Sequence, residues 1–342
     1  MSTGNRKRTG SASAALAALI TVMLAVMLTA HQMAGAQEDK SREPRRKESR
    51  KEEAQKQEAP GQDESVQIHS DLVVINATVI DAAGQYVHGL KGKEFTIQED
   101  GTSQVVDSFV AEEAPFAAAI LIDMSGSMEY KFGLVRGAAA SFVDHIRDSD
   151  QVAVYGFNNE VQTFQEFSNS RDISEYVWDA TAKDVTRMYD CMDQAIESLK
   201  KRPERRRALV LISDGWDSSS KASLESVMKK ALAEGVTIYT VDLVDDNLLI
   251  GNASYVTPLR RGRAIMQSFA TETGGQYLHT PQGDKLESGF TNIVDELRNQ
   301  YTLAYYSNND RRDGKWRKLR VDVARGGLMV RARRGYYAPR GR

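Results

Sequence analysis

Cysteine is almost missing from this 342-residue sequence, where Cys191 stands alone. A single thiol excludes an intrachain disulfide and any zinc site built on several cysteines. Its distance from the N-terminal apolar segment also argues against a lipid anchor attached through cysteine. Histidine is scarce: the five are His31, His69, His88, His145 and His279, and none adjoins the oxygen-rich motif described below. The sequence has no Gly-rich loop of the P-loop type and no G-x-S-x-G elbow. Excess charge is missing too, since 45 Lys and Arg face 47 Asp and Glu for a formal net charge of −2. Nucleic-acid binding therefore has no general electrostatic motive. The rest of the composition, 41% hydrophobic and 27% charged, is ordinary for a folded protein. The length suits one large domain with a smaller one, or two of middling size.

The N-terminus reads as an export signal. Arg6, Lys7 and Arg8 form a positive n-region, an apolar stretch runs over 14–30, and Ala34-Gly35-Ala36 supplies a small-residue cleavage pattern. A signal peptide over 1–36, cut after Ala36, would deliver the protein to the periplasm or the extracellular space. The alternative is an uncleaved membrane anchor, because the stretch approaches bilayer-spanning length. Residues 37–65 are nearly all Glu, Asp, Lys, Arg, Gln, Ser or Pro. With no apolar face to offset ordering entropy, they read as a disordered charged linker. The basic cluster Arg45-Arg46-Lys47 within it reads as solvated.

Short strands follow. Val73, Ile75, Ala77 and Val79 alternate with polar or smaller neighbours, which is the period of a strand. Further strands are expected at 94–98 and 105–110, separated by turn residues. This module, 66–112, is too small for a secure core by itself. The matching strands lie at the far end, over 301–306, 316–324 and 328–333, with Gly326-Gly327 as a hairpin turn between the last two. Both ends of the chain, 66–112 and 299–342, are expected to build one β-sandwich.

Between them the pattern changes to β/α alternation over 115–298. Apolar runs at 118–122 and 209–213 read as strands buried on both faces, and amphipathic helices are expected at 188–199, around 224–232, at 264–273 and from Leu286 to Leu297. Stretch 171–182 is weakly helical. Such alternation implies a doubly wound, mostly parallel sheet of Rossmann-like α/β class.

The stretch 118–128 carries the chemistry. Its apolar run stops at Asp123, and Ser125 and Ser127 follow around Gly126, where strand becomes helix. Oxygen donors without nitrogen or sulfur suit a hard divalent ion such as Mg²⁺ or Mn²⁺ rather than zinc or copper. Asp and Ser also cap helices, so the triplet alone is only moderately specific. Thr186 precedes the helix near Met188, and Asp214 ends the other fully apolar strand. In a sheet of order 3-2-1-4-5-6 the first and fourth strands are neighbours, which would bring Asp123 and Asp214 together at the switch point.

At these residues the chain resembles the von Willebrand factor type A domain. Asp123, Ser125, Ser127, Thr186 and Asp214 match the five positions of that family's metal-ion-dependent adhesion site, and the resemblance covers roughly 115–298. Over 66–340 the chain is similar to secreted bacterial proteins described by a related domain. That wider similarity rests on Glu99-Asp100-Gly101, Thr186-x-x-Tyr189-Asp190, Thr273-Gly274-Gly275 and Leu297-Arg298-x-Gln300-Tyr301. It extends to 316–321 and to Arg333-x-Gly335-Tyr336-Tyr337. One departure is that Asp184 and Val185 stand where the family usually places glycines before its threonine. The resemblance implies bound Mg²⁺ (or Mn²⁺ or Ca²⁺) and a protein ligand that offers an Asp or Glu carboxylate to it.

Other residues carry lesser expectations. Asp184, Asp190 and Asp217 lie near the motif and would tune it, cap helices or sit in solvent. The Asp245-Asp246-Asn247 loop would lie on the same rim, as a determinant of partner choice or an ordinary polar loop. Trp216, close to Asp214, would be an exposed aromatic anchor or pack against the adjoining loop. Cys191 reads as a small buried helix residue. The basic run 200–207 falls at the opposite end of the sheet and reads as a solvated turn, and Arg331, Arg333, Arg334, Arg340 and Arg342 as outward positions. A metal-assisted hydrolase would need a positioned general base. The motif offers none, so a non-enzymatic binding or adhesion protein is expected, ahead of a hydrolase or a structural envelope component with a stabilising metal.

Overall fold

The computed structural model describes residues 72–341 apart from 112, 172–184, 251–252 and 284. The signal segment, the charged linker, Asp184 and all but the first residue of the weakly helical stretch lie outside the described residues.

A six-stranded sheet holds the centre of the fold. Its strands are β5 (Phe116–Asp123), β6 (Gln151–Phe157), β7 (Val161–Ser168), β8 (Arg206–Ser213), β9 (Val236–Asp242) and β10 (Tyr277–His279), in the order β10-β9-β8-β5-β6-β7. Counted within the sheet this is the expected 3-2-1-4-5-6 order. All pairings are parallel except β6 with β7.

Every residue of β5 is buried, as its unbroken apolar run requires. Ala118, Ile120 and Ile122 face a core completed by α1 (Phe132–Asp144) and α5 (Leu286–Asn299). Ala117, Ala119 and Leu121 face the opposite core, where α2 (Met188–Lys200), α3 (Leu224–Glu234) and α4 (Ala253–Thr273) supply Met192, Ala231 and Phe269. On α5 the buried stripe Leu286, Phe290, Ile293, Val294 and Leu297 follows helical spacing. Five such side chains bring on the order of 10 kcal/mol of gross burial energy, against which ordering entropy stands. Helix α3 opens on Ser223, whose hydroxyl accepts the Ser226 N–H at 3.1 Å, and ends at Gly235 with φ +66°.

Two four-stranded antiparallel sheets form the sandwich. One is ordered β13-β1-β11-β4, from β1 (Leu72–Ile80), β4 (Ser108–Val110), β11 (Tyr301–Tyr306) and β13 (Met329–Ala332). The other is β14-β12-β2-β3, from β2 (Phe95–Glu99), β3 (Thr102–Gln104), β12 (Trp316–Val323) and β14 (Gly335–Tyr337). Ile75, Ala77 and Leu303 of the first meet Ile97, Leu319 and Val321 of the second in a common core. Both sheets thus combine N- and C-terminal strands, as the sequence led us to expect: they alternate in the first, and in the second β12 joins the C-terminal pair to the N-terminal pair through β2.

Three expectations are corrected. Gly326-Gly327 does not close a hairpin: β12 pairs with β2 and β14, whereas β13 pairs with β1 in the other sheet. The turn carries the chain between layers, so the apolar faces of β12 and β13 meet across the core instead of sharing a sheet. The basic residues are not all outward. Arg206 is fully buried and donates to the carbonyls of Leu297, Arg298 and Gln300, closing the C-terminal end of α5. Arg333 donates to the carbonyls of Leu232 and Val74 at 2.8 and 2.7 Å, and Arg331 pairs with the buried Glu296 of α5. Guanidinium groups here satisfy chain ends that apolar groups cannot. Finally, α4 begins at Ala253 rather than 264, because its first turns carry Pro258 and a polar Arg-Gly run that hide the helical pattern.

Candidate metal centre

Three strand ends converge at the C-terminal edge of the sheet. Asp123 ends β5, and its neighbours there are Phe157 of β6 and the end of β8. The Asp123 carboxyl accepts the Ser125 N–H at 2.9 Å and the Ser213 hydroxyl at 2.6 Å, so it is fully buried and oriented from both strands. The chain then turns into a short 3-10 helix, Gly126–Lys131, which sets Ser125 Oγ and Ser127 Oγ 3.0 Å apart. Ser127 donates to Asp214 Oδ2 at 2.8 Å, closing the link between β5 and β8.

Asp214 is fixed in turn by the Trp216 N–H, 2.9 Å from its Oδ1. Gly215 makes that turn with φ +79°, and its N–H reaches Ser213 Oγ at 2.9 Å. Thr186 comes from the segment before α2. Its N–H donates to Ser218 Oγ at 2.9 Å, and its carbonyl accepts the Ser218 and Ser219 N–H groups. Ser125, Ser127, Thr186 and Asp214 line one open cavity of about 300 Å³, with Asp123 behind them. The five residues singled out in sequence are therefore brought together, although Asp184 and Val185 replace the family's glycines.

The electrostatics are set by two carboxyls held close together and out of solvent. Burial, then the nearby Asp214, pushes the Asp123 carboxyl up to about 7. Burial raises Asp214 as well, with Asp242 adding to it. Among the described residues no group of three or more His, Cys, Asp and Glu could hold a metal. The set here has two carboxylates and three hydroxyls, all hard oxygens. That chemistry fits Mg²⁺, Mn²⁺ or Ca²⁺, and a divalent charge would relieve the repulsion that lifts both carboxyls.

The lesser candidates sort by what they touch. Asp217 braces the loop, accepting the Ser220 hydroxyl at 2.6 Å and the Tyr189 N–H at 3.2 Å. Asp190 accepts the N–H groups of Lys221 and Ala222, both at 2.9 Å. Cys191 is buried in α2, and burial raises its thiol. Asp245 caps a short 3-10 helix, Asp246–Leu249.

Sequence reasoning missed Asp242. It ends β9 fully buried and accepts Arg263 Nε at 2.7 Å, the Tyr277 hydroxyl at 2.6 Å and the Val244 N–H at 2.7 Å. The signal was available: like Asp123 and Asp214, it terminates a wholly buried strand. Lys131 was missed as well. It is buried, donates to the Pro281 carbonyl at 3.2 Å, and feels Asp242, Asp245 and Asp214.

An open α/β sheet with oxygen donors gathered at its switch point defines the class of protein. The family follows from comparison: the model of the von Willebrand factor type A domain matches residues 119–261, and this part of the chain is such a domain. Domains of this family commonly mediate protein–protein interactions, many of them through a divalent metal. No curated protein matches the chain. Among solved structures, an aerotolerance-related membrane protein from Bacteroides fragilis is 18% identical, with a TM-score of 0.44, covering 53% of this chain and 98% of its own. A von Willebrand factor type A protein from Catenulispora acidiphila is 12% identical, with a TM-score of 0.45 and coverage of 78% and 73%. The ArnB paralog VWA2 from Sulfolobus acidocaldarius is 14% identical, with a TM-score of 0.41 and coverage of 79% and 76%. Identity at this level extends no partner or activity of those proteins to this chain. Among the described residues no helix is long and apolar enough to cross a membrane.

Proposed function

We propose that this chain is an exported binding protein that grips a protein ligand through a divalent metal. Asp123, Ser125, Ser127, Thr186 and Asp214 hold Mg²⁺ (or Mn²⁺ or Ca²⁺), and the partner's Asp or Glu supplies a further carboxylate. The observation that carries this reading is the link Ser125–Ser127–Asp214 across two strands at one open cavity, with Asp123 buried behind it. Two carboxylates and three neutral hydroxyls leave a hard dication able to attract one more anionic oxygen. Export rests on the basic, apolar and small-residue sequence of 1–36.

The protein is proposed to bind rather than catalyse. The described residues lining the cavity include no His, Cys or Lys to act as a general base beside the ion. Nucleic acid is not the proposed partner, because the basic run 200–207 lies at the other end of the sheet and its Arg206 is buried within the fold.

The test is a pull-down from envelope extract with Mg²⁺, with chelator, and with Asp123→Ala. Partners retained equally in all three would sink the metal-bridged reading. Turnover of phosphoester or peptide substrates that is abolished by the same substitution would favour an enzyme instead.

A further inference from the structure

The cavity at the candidate centre has two unlike walls. One is the oxygen set of Ser125, Ser127, Thr186 and Asp214; the other is largely apolar, with Trp216, Pro258 and Leu259 beside a single hydroxyl residue, Ser254. Trp216 remains 42% exposed, an unusual cost for so large an aromatic surface. Its position is tied to the oxygen wall, because its N–H donates to Asp214 Oδ1. Pro258 and Leu259 are tied there too. Helix α4, which carries them, packs Gly262 directly on the Asp214–Gly215 turn, with no room for a β-carbon at either glycine. The spacing between the two walls is thus built into the fold.

From this we propose that the partner presents its carboxylate beside an apolar side chain, and that the apolar group enters the cavity against Trp216, Pro258 and Leu259. The recognised element is a protein segment with Asp or Glu flanked by an aromatic or large aliphatic residue. The inference rests on the metal-bridged reading and adds a specificity element to it. Volume permits it: an apolar cavity of roughly 150 Å³ accepts benzene, and this one of about 300 Å³ has room for a ring and a carboxylate. Solvation favours it, since covering an exposed indole face is favourable while an acidic group alone would leave that face wet. Backbone anchoring of the turn gives the wall little entropy to lose on binding.

The experiment titrates the full chain with acetate and with 3-phenylpropanoate, each with Mg²⁺ and with chelator, following the backbone amide resonances by NMR, a readout that survives in every variant. In Mg²⁺ the phenyl acid should bind about tenfold or more tightly than acetate, the scale expected for burying one ring. Trp216→Ala and, independently, Leu259→Asn should each reduce that ratio to about threefold or less. Equal Mg²⁺-dependent binding of the two acids would overturn the inference and leave the metal reading standing. An unchanged ratio in both variants would overturn it as well. Binding that ignores chelator, or no binding of either acid, would overturn the metal reading and this inference with it.

Discussion

Gly262 of α4 lies against Asp214 so closely that a β-carbon on it would sit 2.4 Å from the Asp214 carbonyl oxygen. The contact is reciprocal, as a β-carbon on Gly215 would meet the Gly262 carbonyl oxygen at 2.4 Å. These are backbone atoms, so no side chain can swing aside. Helix α4 and the loop that carries a candidate ligand therefore hold each other in place.

Gly262→Ala is accordingly expected to destabilise. Alanine gains about 1 kcal/mol of helix propensity over glycine, but the forced separation costs about 1–3 kcal/mol. A lower denaturant midpoint and a weaker response to Mg²⁺ should appear together. A variant as stable and as metal-responsive as the parent would show that the contact relaxes freely.

Metal should stabilise the fold through Asp123. Saturating Mg²⁺, at about 100 times its dissociation constant, adds about 2.7 kcal/mol if it binds only the folded state. A thermal melt should rise accordingly in the parent and stay flat in Asp123→Asn. A rise of equal size in both would place the ion elsewhere.

Without metal, stability should fall as pH rises. The folded Asp123 carboxyl keeps its proton up to about 7, whereas an unfolded one releases it near 4. Between those values the folded state binds more protons, so unfolding becomes easier on going from about pH 4 to about pH 7. The loss is of order a few kcal/mol, shared with Asp214, which titrates beside it. Urea midpoints at pH 5 and pH 8 in chelator should differ in the parent and differ less in Asp123→Asn. Added Mg²⁺ should offset the loss at pH 8.

The sandwich and the α/β domain are joined through Glu296 of α5. It accepts the Thr78 hydroxyl at 3.0 Å and the Tyr239 hydroxyl at 2.8 Å, and pairs with Arg331. Glu296→Ala should cost about 2–4 kcal/mol, since it strands a partly buried guanidinium and two hydroxyls. Adding Arg331→Met should recover part of that loss. If the double variant were less stable than Glu296→Ala alone, the guanidinium would be stabilising through other contacts.

Much of this protein was legible in its residues. The fully apolar runs ending at Asp123 and Asp214 required strands buried on both faces, and β/α alternation required helices to cover them. The alternation at 73–79 and 319–323 likewise required one-faced strands. From these the sheet order and the shared sandwich followed, while the full set of five oxygen residues came with the resemblance to the von Willebrand factor type A domain. The same rule would have found Asp242, had the carboxylate at the end of β9 been weighed with the other two.

What the sequence left open was decided by contacts between distant residues. Gly326-Gly327 has the chemistry of a hairpin turn, yet β13 joins β1, because which sheet a strand enters depends on partners more than 200 residues away. Arg206, Arg331 and Arg333 look like surface charges until the ends of α5 and α3 and the carboxylate of Glu296 come to meet them. Ser127 and Asp214 are each an ordinary polar residue at a chain turn. Their hydrogen bond across two strands, and the glycine contact that sets an apolar wall beside it, exist only once the sheet has closed. Local periodicity determines which elements form and which faces are buried. The spacing of groups in three dimensions, on which binding depends, is fixed only by packing.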